Sequence, residues 1–318
     1  LPACAPGSGV TLDANEIEQL VHGIAQGSRR ELGRAITAVE EDESVSDDLL
    51  AALPAVSGTF RVGITGAPGV GKSTLISKLI PNLLKRGERV AVLAVDPTSP
   101  ISGGAVLGDR VRLTTDHGDD LWFRSIASRG STSGVAGCTD LVAEILARAG
   151  FGMVIIETVG VGQLEVEIAE ETDQAWLLLS PESGDAIQLL KGGLLEVVQR
   201  VLIHKCDRPG SDDLMRWAKD AARDQGLADP IAVSSEQGEG IDEVAEAIID
   251  AASSHRESPD AQRTRARLVR RIRRRAEQEW LKRALESAGG SEIFEQLADR
   301  VCRDEMSVRQ ALASILPR

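Results

Sequence analysis

The residues best suited to chemistry lie between positions 60 and 74. Residues 60–65, Phe-Arg-Val-Gly-Ile-Thr, read as a strand. Gly66-Ala67-Pro68-Gly69-Val70-Gly71-Lys72-Ser73 follows it, and Thr74 continues into a helical pattern ending near Ile80. This is GxxxxGK[ST] in the strand–loop–helix setting that the pattern requires. Gly66, Gly69 and Gly71 permit backbone conformations that turn several N–H groups inward, and the helix N-terminus adds a dipole that favours an anion. Lys72 can reach outer phosphates, and the Ser73 hydroxyl can ligate Mg²⁺. The spacing points to a nucleoside triphosphate site; a glycine-rich turn without a ligand is the plain alternative.

Such a site needs acids to hold the metal. Residues 153–157, Met-Val-Ile-Ile-Glu, form a buried type of strand ending in Glu157, with Gly160 three residues on. A strand-end acid with a nearby glycine suits Mg²⁺ coordination and γ-phosphate sensing. Asp96 closes the apolar run 90–96, and Asp109 lies in the loop after it. In isolation either acid reads as a cap or turn residue; behind a phosphate loop both become metal and switch candidates. Gln163 stays outside the catalytic set.

Base selection falls to two later strand ends. Residues 201–207 end in His204-Lys205-Cys206-Asp207, and about thirty residues on comes the polar triplet Ser234-Ser235-Glu236. A Lys-x-Asp alone is usually a solvated loop. In this order and spacing its Asp can accept from both N1–H and N2–H of guanine, a charge-assisted pair that adenine cannot supply. A small residue at Ser235 can offer a backbone N–H to the guanine O6.

These positions require a particular scaffold. Seven short apolar runs, near 60–66, 90–96, 122–126, 153–157, 175–180, 201–205 and 230–234, alternate with helical patterns. Such alternation implies an α/β fold with a largely parallel central sheet flanked by helices. Residues 1–58 form an N-terminal helical region, 59–254 the nucleotide domain, and 255–318 a helical arm. Between Arg256 and Arg283 the arm carries ten Arg and one Lys against four acids, a local balance of +7 that leaves −20 for the rest of a chain of net charge −13. Leu268, Ile272, Ala276, Trp280 and Leu281 make a helical apolar stripe that needs a partner surface, on the same subunit or a twin.

The 318 residues can bury a substantial core, and 42% hydrophobic with 27% charged residues is ordinary for a globular protein. The acidic balance argues against a general nucleic-acid binder. Apolar runs fall short of the ~18 residues that span a bilayer. Residues 1–10 lack the features of a secretory signal, and the chain opens on Leu1, which reads as processed or truncated. Cys4, Cys138, Cys206 and Cys302 show no metal-like spacing, as expected in a reducing cytoplasm.

Together the motifs resemble the MeaB/ArgK family of GTPases. The matching strings are Gly66 to Ser73, Val95-Asp-Pro-Thr-Ser-Pro100, Gly103-Gly104, Leu107-Gly-Asp-Arg110, Glu157-Thr-Val-Gly-Val-Gly-Gln163, and Gly184-Asp-x-x-Gln188 with Lys191. The resemblance runs from about residue 15 to the end, in pattern alone over the arm. It implies a P-loop fold binding GTP/GDP and Mg²⁺, and a GTP-hydrolysing chaperone that gates cofactor loading into an adenosylcobalamin-dependent acyl-CoA mutase and protects that mutase. It further implies a homodimer. Ser73, Asp96, Asp109 and Glu157 would form the metal shell, and Asp207 would read guanine. Residues 180–193 would be a switch meeting the mutase, with Asp185 and Lys191 as its functional acid and base. The chain departs from the family pattern at Leu189 and Gly192, at His204 (where Asn is usual, bracing the phosphate loop), and at Pro181-Glu182. A metal-insertion GTPase would need a Cys/His cluster, and an ATP-dependent small-molecule kinase a different base preference; these are the alternative readings.

Overall fold

The computed structural model describes residues 12–96, 118–127, 137–158, 164–183, 194–288, 290 and 292–315. The Asp96 and Lys191 expectations are affected differently. Asp96 has a described backbone, whereas Asp109, Gly160, Asp185 and Lys191 lie outside the described residues.

Three helices come first: α1 (Ala14–Ala25), α2 (Arg29–Glu41) and α3 (Val45–Ala52). A capping box starts α1, the Asp13 side chain accepting from the Glu16 backbone N–H and Glu16 returning the bond to Asp13 N–H. The seven strands follow at the positions the apolar runs indicate: β1 (Phe60–Thr65), β2 (Val90–Asp96), β3 (Leu121–Ala127), β4 (Met153–Thr158), β5 (Gln174–Leu179), β6 (Arg200–His204) and β7 (Ile231–Val233). They form one sheet in the order β3-β2-β4-β1-β5-β6-β7, and every pairing is parallel. Between them lie α4 (Lys72–Lys85), α5 (Thr139–Arg148), α6 (Leu164–Glu171) and α7 (Ser211–Asp224), and α8 (Ile241–Glu257) follows β7.

Helices cover both faces, so the strands read as nearly continuous apolar runs. Val62 and Ile64 of β1 join Leu75, Leu79, Val244 and Ile248 of α4 and α8 in one core. The other core gathers Ile36 and Leu49 of the N-terminal helices with Leu141, Ile145 and Ile156. Arg61 is the exception in β1. It is buried and donates to Asp140 at 2.5 Å and to Glu144 at 2.7 Å, while its backbone N–H donates to Asp173 at 2.8 Å. Burial disfavours its charge, and these three carboxylates more than offset that, raising its pKa.

The chain divides into two compact units, Leu1–Asp260 and Ala261–Arg318. The second contains α9 (Ala261–Ala288), α10 (Glu292–Cys302) and α11 (Val308–Ile315), with a small core of Leu297, Ala311 and Ile315. Along α9, Leu268, Ile272, Trp280 and Leu281 are exposed. Among the described residues no helix is long and apolar enough to cross a membrane.

Candidate functional site

The central position of β1 aims the phosphate loop at the carboxyl edge of the sheet, between β4 and β5. Two glycines there are obligatory. A Cβ on Gly66, at φ +147°, would collide with the Leu178 carbonyl, and one on Gly71, at φ +103°, would enter the His204 ring. Ala67, Pro68, Gly69 and Val70 complete the turn, and α4 starts at Lys72, directly after Gly71. The buried Lys72 side chain folds over the loop, its Nζ donating to the Gly66 carbonyl at 2.6 Å and the Ala67 carbonyl at 3.0 Å.

Register places an acid beside this loop. Ile64 pairs with Glu157 across β1 and β4, and Ala94 of β2 pairs with the same Glu157. Glu157 is buried, and its Oε1 accepts from the Ser73 hydroxyl at 2.5 Å. Two oxygen donors, one from the first turn of α4 and one from the end of β4, therefore meet. That is a donor set suited to a hard divalent cation such as Mg²⁺. Asp96 ends β2, one residue past the Val95–Thr158 pair. Thr74 sits half-buried in the same first turn, its carbonyl accepting from the Ser77 hydroxyl. Among the described residues no group of three His, Cys, Asp or Glu side chains is placed to hold a metal ion.

At the base end, His204 is buried at the tip of β6. Its Nδ1 lies 2.6 Å from the Val70 carbonyl and its Nε2 lies 2.7 Å from the Ser235 hydroxyl. A carbonyl can only accept, so Nδ1 carries the proton and Nε2 accepts from Ser235. His204 thus braces the phosphate loop, the task that the family resemblance assigns to Asn. Burial, chiefly, pushes its pKa below the ordinary value, and neighbouring Lys205 acts in the same direction.

Lys205 takes the left-handed backbone conformation, φ +56°, and its Nζ lies 3.3 Å from the Gly69 carbonyl. A hydrogen bond from Ser234 holds the Asp207 carboxyl below the usual carboxylate range, with Arg208 and His204 adding to the effect. The Ser234 Oγ also accepts from the Gln237 backbone N–H at 3.1 Å, and Ser234 bridges Glu239. Glu236 is exposed and pairs with Arg208 at 3.0 Å. The structure therefore gathers the loop, Ser73, Glu157, His204, Lys205, Asp207 and Ser234 to Glu236 along one edge of the sheet. Two neighbours escaped sequence reasoning, Arg208 and the partner role of Glu182. The signals were an arginine directly after Asp207 and an unusual Pro-Glu at the end of β5.

A glycine loop feeding a helix that opens on Lys-Ser, set at the carboxyl edge of an all-parallel sheet, defines a P-loop NTPase. Residues 32–289 match the family model described as methylmalonyl Co-A mutase-associated GTPase MeaB, and the chain belongs to that family. It is 31% identical to the GTPase ArgK of Escherichia coli over 315 residues, covering 94% of this chain and 95% of that one. It is 42% identical to a putative GTPase of Pyrococcus abyssi over 200 residues, 62% of this chain and 61% of the relative, so the match spans less than two thirds of that relative's length. Among solved structures, one described as LAO/AO transport system kinase is 26% identical, with a TM-score of 0.66, and covers 96% of this chain and 98% of its own.

Proposed function

We propose that the chain binds GTP and GDP with Mg²⁺ at this edge, hydrolyses GTP, and uses the cycle to gate adenosylcobalamin loading into an acyl-CoA mutase, protecting that enzyme. The single observation that carries the nucleotide reading is the buried Lys72–loop and Ser73–Glu157 arrangement, with His204 tying the loop to the base end. Lys72 would exchange the Gly66 and Ala67 carbonyls for phosphate oxygens, and the inward N–H groups at the start of α4 would hold the β-phosphate. Ser73 and Glu157, with Asp96 and Asp109, would hold the Mg²⁺. When bound, that ion neutralises charge growing on the phosphate oxygens. Asp207 would accept the two guanine donors, and Gly160 would report the γ-phosphate.

The mutase reading is supported by the family to which the chain belongs. Asp185 and Lys191 would act once the mutase docks on residues 180–193. The exposed stripe of α9 supports a homodimer, and the protein would work in the cytoplasm. GTP turnover measured alone and with purified cobalamin-dependent acyl-CoA mutases tests the reading. Slow intrinsic turnover should rise with the mutase, and Lys191→Ala should lose the rise while keeping the basal rate. Turnover indifferent to every such mutase would overturn the chaperone function. A truncation before residue 258 should bind GTP as a monomer by light scattering; a persistent dimer would move the interface elsewhere.

A further inference from the structure

Five charged side chains among the described residues share the base end of the site, and two of them, Glu182 and Arg208, have no part in the reading above. Glu182 Oε2 accepts from Lys205 Nζ at 2.6 Å, and Glu182 Oε1 lies 4.0 Å from the Arg208 Nε. The same Arg208 reaches Glu236 at 3.0 Å and the Asp207 Oδ2 at 3.4 Å. Glu182 is held in place by a closed turn just past β5. The Ser183 N–H donates to the Ser180 carbonyl at 3.1 Å, and the two serine hydroxyls lie 2.9 Å apart. The hydrogen bond from Lys205, chiefly, keeps the Glu182 carboxyl below the usual range, so it is anionic near neutrality.

We propose that Glu182 is a positioning residue for base recognition: by holding Lys205 and sharing Arg208 with Glu236, it keeps both oxygens of Asp207 available to guanine. This deepens the guanine-nucleotide reading and rests on it. The argument is one of competition. A guanidinium fork and the guanine N1–H/N2–H edge seek the same carboxylate lone pairs, and Arg208 already lies within 3.4 Å of one of them. Among the described residues three carboxylates now divide one guanidinium. Without Glu182 two remain, and one of them is the base reader. Lys205, two residues from Asp207, would be released from Glu182 as well, retaining its 3.3 Å contact with the Gly69 carbonyl. Exposed ion pairs as such contribute little to stability. The effect expected here falls on ligand choice, because the displaced cation lands on a group that the ligand needs.

Calorimetric titration of the full chain with GDP and IDP tests this, since hypoxanthine lacks the 2-amino group and needs one oxygen of Asp207 fewer. Glu182→Ala should weaken GDP about tenfold, the scale of one charge-assisted hydrogen bond, and IDP by less, lowering the GDP/IDP preference. Adding Arg208→Ala in the same chain should restore it, because the competitor is gone. An unchanged preference in Glu182→Ala would overturn the proposal. So would a lost preference that Arg208→Ala fails to restore, which would mark Glu182 as a prop of the turn alone. A separate arm isolates the underlying reading: if Asp207→Asn still prefers GDP to XDP, Asp207 does not read the base, and the proposal falls with that reading whatever Glu182→Ala does.

Discussion

Replacing His204 with Ala should cost the fold and the nucleotide together. The ring joins Val70, in the phosphate loop, to Ser235, beyond β7, through contacts of 2.6 and 2.7 Å. Alanine leaves a buried carbonyl and a buried hydroxyl without this partner, at about 1–3 kcal/mol each, and opens a cavity, so about 3–5 kcal/mol is expected in total. Asn is shorter and can serve only one of the two partners, for a cost of about 1–2 kcal/mol. The two variants also differ from the wild type in pH response. The folded imidazole titrates below its ordinary value of 6.5, so between the two values the unfolded chain binds the extra proton. Stability is therefore complete above about 6.5 and is lost as pH falls from there toward the depressed folded value. Denaturant unfolding and GDP affinity, each at about pH 8 and about pH 5.5, measure both effects. His204→Asn should flatten the acid-side loss while remaining folded at the higher pH. A wild-type slope that persists in His204→Asn, or an Ala variant within about 1 kcal/mol of wild type, would refute the bracing role.

Lys72→Ala should abolish high-affinity triphosphate binding, since the loop loses the ammonium that now lies on its own carbonyls; unchanged GTP affinity in calorimetry would count against the phosphate site. Asp207→Asn keeps one acceptor and substitutes a donor for the other, so preference should move from guanine to xanthine in competition titrations with GTP, ATP and XTP. Glu157→Gln retains size and a partner for Ser73 but loses charge. It should depress Mg²⁺-dependent hydrolysis more than GDP binding, and equal rates at limiting Mg²⁺ would contradict the role.

Local features were legible in the sequence and long-range ones were not. The seven strands announced themselves because both faces of the sheet are covered, leaving little polar residue to blur an apolar run. The phosphate loop was legible because its demands are local: glycine where a side chain would strike a backbone or a ring, then Lys and Ser in the first helical turn. His204 was harder. As a residue it is only a departure from Asn, and its partner Val70 lies 134 positions away. Arg61 posed the same difficulty: a charge in an apolar strand signals a buried partner without naming Asp140, 79 positions on, or Glu144, 83 positions on. Glu182 belongs to this class too, since its meaning depends on Lys205 and Arg208 turning toward it from the next strand.

The sheet order also governs timing during synthesis. β1 belongs to the first part of the nucleotide fold to leave the ribosome, yet its neighbours are β4 and β5, whose last residues are Thr158 and Leu179. Parallel pairing cannot close until those strands exist, and at ~5–20 residues per second the wait is roughly 5–20 s. For that interval the glycine loop has no Leu178 carbonyl against it and no imidazole behind Val70. The nascent chain therefore carries the complete phosphate-binding motif long before it can grip a nucleotide, and competence arrives late, with β4, β5 and the His204 that ends β6 rather than with the loop itself.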